Sequence, residues 1–238
     1  MEAEAPPIVA LEGVTRVYKT GDIETHALRG LDLTVRQGEF VAIWGPSGSG
    51  KSTALNLIGA LDTPTAGTVR LEGRDLSRLS QGQLSGLRRD RIGFVFQAYN
   101  LIPVLSAFEN AESVMALQGV PPAERRETVM RLLAEVGLAG MEHRRPHELS
   151  GGQQQRVAVA RAIASSPAVV LADEPTANLD SETSEKLLDM MARLNQEHGV
   201  TFIFSTHDPR VLRHARRLVG LVDGRVDSDV VKAPGTEA

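Results

Sequence analysis

Residues Gly45-Pro46-Ser47-Gly48-Ser49-Gly50-Lys51-Ser52-Thr53 fit the pattern G-x-x-x-x-G-K-[ST]. Gly48 and Gly50 lack Cβ atoms, so the backbone can curl and turn several N–H groups inward on phosphate oxygens. Lys51 can reach the β- and γ-phosphates of a nucleotide, and the Ser52 hydroxyl can ligate Mg²⁺. What flanks the pattern limits the fold. Residues 39–44 read as a buried strand and residues 52–58 as the start of a helix. The positive end of that helix dipole would add to the phosphate site. Strand, glycine-rich loop and helix in that order belong to an α/β fold.

With 238 residues the chain can form one large α/β domain or two lobes around a sizeable core. A formal net charge of −4 gives no nucleic-acid footprint, and no nucleic-acid partner is expected. Cysteine is absent, which excludes disulfides, cysteine-based zinc sites and a catalytic thiol. The acidic, proline-containing start at residues 1–7 does not read as a signal peptide. No apolar run approaches the roughly 18 residues of a membrane span. The richest candidate, residues 157–172, is broken by Arg161, Ser165, Ser166 and Pro167. At a membrane, the chain is expected to act through a partner.

Along the chain, residues 8–18 and 26–35 have strand patterns, and residues 67–74 alternate and end at a glycine, a hairpin signal. These segments predict a small antiparallel lobe around the phosphate-loop strand. Residues 92–96 form a short apolar strand ending at Gln97. Residues 108–117 and 122–136 then carry helical spacing, with proline where the second helix starts. The expected organisation is a core plus β lobe from residues 8–97 and 162–227, a helical lobe over residues 98–161, and flexible tails at 1–7 and 232–238. The core resumes with a strand at 168–172, a helix at 181–198, a strand at 200–205, a helix at 209–217 and a hairpin turning on Asp223-Gly224. Arg88, Arg89, Arg91, Arg125 and Arg126 read as solvated faces, Met190-Met191 as core, and His143 and His147 lack the further ligands a metal site needs.

Three of these strands end in reactive residues. One feeds the phosphate loop, one ends in Asp173-Glu174-Pro175, and one in Thr206-His207-Asp208. In open α/β sheets ligands bind beyond the carboxyl ends of the strands, so parallel pairing would gather the three clusters at one edge. Asp173 could hold Mg²⁺, and Glu174 is the natural general base or water-orienting residue. His207 could contact the γ-phosphate, and Gln97 could reach Mg²⁺ or the attacking water. A further stretch, Leu149-Ser150-Gly151-Gly152-Gln153, precedes a helix and contains a capping box from Ser150 to Gln153. Capping leaves two glycines in the first helical turn unexplained, because each costs helix stability. Close approach of an anion to the helix N-terminus would explain them, which makes a second phosphate contact, completed by another copy of the chain.

The set resembles the ATP-binding subunits of ABC transporters over residues 8–227. Gly45 to Thr53 match Walker A, residues 169–173 Walker B, Glu174 the catalytic glutamate and residues 149–153 the signature motif. Gln97 matches the Q-loop, residues 177–180 the D-loop and His207 the H-loop. The resemblance implies a P-loop NTPase with a RecA-like core, an antiparallel β subdomain and an inserted α-helical subdomain. It implies a homodimer closed head to tail on two Mg-ATP, with Ser150, Gly151, Gly152 and Gln153 facing the partner's phosphate loop and Asp180 touching the partner's site. It also implies that Tyr18 stacks on adenine. Residues 18–22, 26–30, 94–97 and 149–156 are similar to the macrolide-efflux and lipoprotein-release branch. There the cassette sits on the cytoplasmic face of the inner membrane under a separate permease, whose coupling helix would dock at residues 98–105. Glu112 and Ala177 depart from that branch, which often has an apolar residue and glycine there. The alternatives are a soluble ABC-type ATPase of translation or DNA repair, opposed by a single half and no heptad run, and a non-hydrolysing regulator, opposed by Glu174 and His207.

Overall fold

The computed structural model describes residues 7–232. The tails expected at the two ends lie almost wholly outside the described residues. Gly21 and Asp22 turn the chain between two long strands, β1 (Val9–Thr20) and β2 (Ile23–Val35). The second strand therefore starts before residue 26, where the turn rather than the apolar pattern sets its boundary. β4 (Ala66–Leu71) pairs antiparallel with β1, and β5 (Arg74–Asp75) with β4, giving the order β2-β1-β4-β5.

The phosphate-loop strand is not in that sheet, so the antiparallel lobe does not surround it; it runs parallel with the strands that end at Asp173 and Thr206, as expected. β3 (Phe40–Trp44) lies in a six-stranded sheet with β6 (Ile92–Phe96), β7 (Val169–Asp173), β8 (Thr201–Thr206), β9 (Arg217–Val222) and β10 (Arg225–Val231), in the order β10-β9-β3-β8-β7-β6. The pairs β9–β3, β3–β8, β8–β7 and β7–β6 are parallel, and β9–β10 is an antiparallel hairpin on Asp223-Gly224. Both faces of the parallel part are covered, so its strands are near-continuous apolar runs rather than alternating ones.

Alternate residues of β3 serve different cores because successive side chains point to opposite faces. Val41 and Ile43 pack with α1 (Lys51–Ile58) and with Val9, Leu11, Leu33 and Leu71 of the four-stranded sheet. Phe40 and Ala42 pack on the other face with Phe202 and Phe204, and with α3 (Ala107–Leu117), α4 (Pro122–Glu135), α5 (Gly151–Ala164) and α6 (Ser181–His198). The Phe40 ring lies 5.5 Å from Phe202 and 4.7 Å from Phe204, centroid to centroid. Burying one such ring stabilises the fold by about 2–3 kcal/mol. Trp44, read as buried, is half-exposed at the end of its strand. Met190 and Met191 are core residues.

Local signals start and stop the helices. Ser106 with Glu109, and Ser150 with Gln153, close capping boxes, and Asp180 caps α6, which ends at Gly199 with φ 65°. One helix was not anticipated: α2 (Gln81–Arg91). It has only Leu84 and Leu87 buried, and Gly82 and Gly86 interrupt it, so its apolar period is faint. Its capping box, Ser80 with Gln83, was the available signal. The last helix, α7 (Pro209–His214), is shorter than expected, because Arg217 already belongs to β9.

Four of the arginines read as solvated are engaged, Arg89 with the adjacent Asp90 at 2.7 Å. Arg88 donates to the Ala60 carbonyl at 2.7 Å, Arg91 pairs with Glu72, and Arg125 pairs with Glu112 at 2.8 Å. Glu112, the unusual acid in α3, thus has its partner on α4.

Candidate active site

β3 delivers the chain into the loop at Gly45, and the loop ends at Gly50, which caps α1 with φ 102°. A Cβ on Gly45 would lie 2.1 Å from the Leu221 carbonyl oxygen, and one on Gly50 2.5 Å from that of Ala27. No side chain fits at either position. Lys51 is buried, and its ammonium donates to the carbonyls of Gly45 at 2.8 Å and Pro46 at 2.9 Å. The charge is held at the mouth of the loop. The Ser49 hydroxyl is buried without a hydrogen-bond partner.

The parallel register brings the other clusters alongside. Phe96 is opposite Asp173, Asp173 opposite Ser205, and Trp44 opposite Thr206, so four strands end level. Ser52 at the start of α1 donates to Asp173 Oδ1 at 3.1 Å. Two oxygen donors side by side suit a hard cation such as Mg²⁺. Glu174 leaves β7 in the left-handed region, at φ 46°, which is strained for a residue with a side chain. Its N–H donates to the Ser205 carbonyl at 2.9 Å. Its carboxylate meets His207 Nδ1 at 2.7 Å and accepts from the Thr206 hydroxyl at 3.2 Å. The His207 side chain is 74% exposed, so its far edge faces the open side of the site.

Gln97 follows β6 and is tied to Asn178, whose amide donates to the Gln97 carbonyl at 2.9 Å. Asp208 accepts from the Thr176 hydroxyl at 2.6 Å and from Arg210 at 2.9 Å. Burial works to raise its pKa, but the hydrogen bonds from Arg210 and Thr176 outweigh it and hold the carboxyl below the usual aspartate range. This bond links the segment after Glu174 to the segment after His207. From sequence, Thr206 and Asp208 were named only as flanking His207 and Asn178 only within the D-loop match, with no role given to any of them, and Thr176 was not singled out.

Other expected residues sit elsewhere. The neighbours of Gly151 and Gly152 are Tyr99, Leu179 and Thr183, all outside the loop of residues 45–53. A Cβ on Gly152 would lie 2.2 Å from Thr183 Cγ2, and one on Gly151 2.7 Å from the Tyr99 hydroxyl. Packing against Thr183 within the chain thus gives Gly152 a reason of its own, whereas at Gly151 only the far end of the Tyr99 side chain would have to shift. Asp180 accepts from the backbone N–H and the hydroxyl of Thr183 at 2.9 and 2.6 Å, and the side-chain bond above all lowers its pKa. The Tyr18 ring lies under the Arg16 guanidinium, 4.5 Å from its centroid, and the hydroxyl donates to Asp62 at 2.8 Å. One face of the ring is thus occupied.

A sequence model described as "ABC transporter" matches residues 28–177, from β2 through the strand that ends at Asp173 and the Glu174 after it. The chain belongs to the ABC transporter family. A second model, described as an AAA domain of a putative AbiEii toxin, matches the shorter stretch 142–213. The lipoprotein-releasing system ATP-binding protein LolD of Anaeromyxobacter dehalogenans is 48% identical over 96% of this chain and 96% of its own length. The macrolide export ATP-binding/permease protein MacB of Azoarcus sp. is 47% identical over 94% of this chain, which spans only 34% of that protein's length. The dimeric cassette MJ0796 of Methanocaldococcus jannaschii, solved in a post-hydrolysis state bound to ADP and Pi, aligns with TM-score 0.86 at 44% identity, covering 94% of this chain and 99% of that one. As an ABC cassette with the P-loop NTPase fold, the chain is an ATPase. Among the described residues, no helix is long and apolar enough to cross a membrane.

Proposed function

We propose that the chain is the ATP-hydrolysing subunit of a transporter of the mechanotransmission type, working as a homodimer on two Mg-ATP. Gly45 to Thr53 bind the phosphates, Tyr18 contacts adenine on its free face, and the Lys51 ammonium exchanges the loop carbonyls for β- and γ-phosphate oxygens. Ser52, Asp173 and Gln97 would hold Mg²⁺, which supplies Lewis-acid stabilisation of phosphate charge when bound. Glu174 orients the attacking water and takes its proton, while His207 keeps the carboxylate aimed and presents its exposed edge to the γ-phosphate. Ser150, Gly151, Gly152 and Gln153 meet the partner copy's nucleotide through the N–H groups at the start of α5, and Asp180 lies beside it. Catalysis is then mostly positioning and electrostatics.

The observation that carries this reading is the pairing of Glu174 with His207 beside Ser52 and Asp173, at the common end of four parallel strands. The relatives named for macrolide export and lipoprotein release support a separate integral-membrane permease as partner, with residues 98–105 as its docking segment. Held by such a permease, the chain would sit peripherally, on the cytoplasmic face of the inner membrane.

The test is affinity capture of tagged Glu174→Gln from gently solubilised membranes with Mg-ATP. A co-purifying permease with four membrane helices and a large extracytoplasmic domain is the expected result. A many-helix permease would move the chain to another transporter branch. Recovery of soluble partners or ribosomes alone would overturn the transport role.

A further inference from the structure

Gln155 is fully buried in α5, and its side-chain amide has one workable orientation. Its neighbours are two carbonyl oxygens, that of Phe96 at 3.3 Å and that of Pro175 at 2.8 Å. Carbonyls only accept, so the amide nitrogen faces them and both of its N–H groups are engaged. The Oε1 atom is left buried without a partner. An apolar residue here would avoid that orphan acceptor, so the amide is explained by the two bonds it makes.

Both bonds fall on the hydrolysing machinery. Phe96 immediately precedes Gln97, and Pro175 immediately follows Glu174. The two strand exits adjoin, because Phe96 lies opposite Asp173. The exit at Glu174 runs through left-handed backbone, which persists only where the surroundings hold it. Gln155 supplies one such hold from a helix whose first residues are Gly151, Gly152 and Gln153.

We propose that Gln155 is a positioning residue for ATP hydrolysis. It sets Gln97 and Glu174 relative to each other and ties both strand exits to α5. A shift of α5 then moves the two exits together, so engagement of its N-terminus by a partner's nucleotide reaches Gln97 and Glu174 through one side chain. This rests on the roles proposed above for Gln97 and Glu174.

Steady-state ATP hydrolysis by full-length Gln155→Met tests it, because methionine keeps the volume and removes both donors. The expected result is kcat lower by about 10²-fold with KM for Mg-ATP within about threefold. A kcat within about twofold of wild type in the folded variant overturns the proposal, and so does a loss confined to KM. If Gln155→Met fails to fold, Gln155→Glu decides. Its ionised carboxylate would face two carbonyls, whereas the protonated form, favoured by burial, can donate one O–H to them. In either form at most one donor is left, so its kcat is expected to be at least about tenfold below wild type with KM within about threefold, and a kcat within about twofold of wild type overturns the proposal. Wild type and Glu174→Gln run in parallel. An inactive wild type, or a fully active Glu174→Gln, overturns the site assignment itself. An active wild type beside an unaffected Gln155→Met overturns only the role of Gln155.

Discussion

The imidazole Nδ1 of His207 stands 2.7 Å from Oε1 of Glu174, while the Thr206 hydroxyl holds Oε2 at 3.2 Å. The carboxylate is therefore fixed at both oxygens by residues from the neighbouring strand end. An amide in its place keeps the size and loses the basicity. Glu174→Gln is expected to lower turnover by about 10²–10⁴-fold. ATP affinity, measured by equilibrium dialysis, should stay within about threefold. Undiminished hydrolysis would remove Glu174 from the mechanism.

The two supports of Glu174 differ in burial, and this separates their effects. The His207 side chain is 74% exposed, so its removal disturbs little packing. His207→Ala should leave stability within about 0.5 kcal/mol and lower kcat by about 10²-fold. Thr206 is fully buried and also accepts the Asp208 N–H at 2.9 Å. Thr206→Val should therefore cost about 1–3 kcal/mol in stability as well as rate. Urea melts beside steady-state kinetics check both, and a marked stability loss in His207→Ala would contradict the assignment.

Lys51 has two partners to lose. Its bonds to Gly45 and Pro46 stabilise the empty loop. Lys51→Ala is expected to destabilise the nucleotide-free protein by about 1–2 kcal/mol. The larger effect should appear on adding ATP. At a ligand concentration of about 100 Kd the wild type gains about 2.7 kcal/mol, and the variant should gain almost nothing. Thermal melts with and without nucleotide measure both, and an unchanged ATP-induced shift would count against a phosphate role for Lys51.

Alanine normally stabilises a helix by up to about 1 kcal/mol over glycine. At Gly152 the sign should reverse, because the new Cβ would lie 2.2 Å from Thr183 Cγ2. Thr183 cannot rotate away without breaking its 2.6 Å bond to Asp180. Gly152→Ala is expected to cost about 1–3 kcal/mol by overpacking. Adding Thr183→Ser removes the clashing methyl and keeps the hydroxyl, so the double variant should recover most of the loss. A double-mutant cycle with no coupling would show that Gly152 is not there for packing.

Asp208 gives a pH dependence of known sign. Its folded-state pKa is lowered below the ordinary value of about 3.9. Its contribution to stability is thus fully present above the unfolded value and is lost as pH falls through the folded one. Asp208→Asn should be less stable than wild type by about 2 kcal/mol near neutrality. The gap should close progressively below about pH 4. Denaturant melts over a pH series test this, and a gap that stays constant into acid would exclude the charged form as its source.

Local chemistry was legible along the chain. The loop from Gly45 to Thr53, the strand ends at Asp173, Glu174 and His207, and the helix starts at Ser150 and Pro122 are short-range features, set by residues a few positions apart. Parallel pairing follows from apolar runs buried on both faces, so the meeting of the three clusters at one edge could be inferred before any coordinate was known. The helix at Gln81–Arg91 was less visible, because only two of its residues are buried and two glycines dilute its period.

Other features depended on which residues of distant segments come together. Sequence spacing could not tell that β3 takes its place between β9 and β8, since strand order is a long-range choice. It could not tell that Gly152 packs against Thr183, or that Gln155 reaches two strand exits with one amide. The sequence by itself determined which chemistry the chain carries, because that chemistry is written in contiguous residue types. Only the tertiary structure decided how those groups are aimed, because aiming depends on close packing and on hydrogen bonds between segments tens of residues apart.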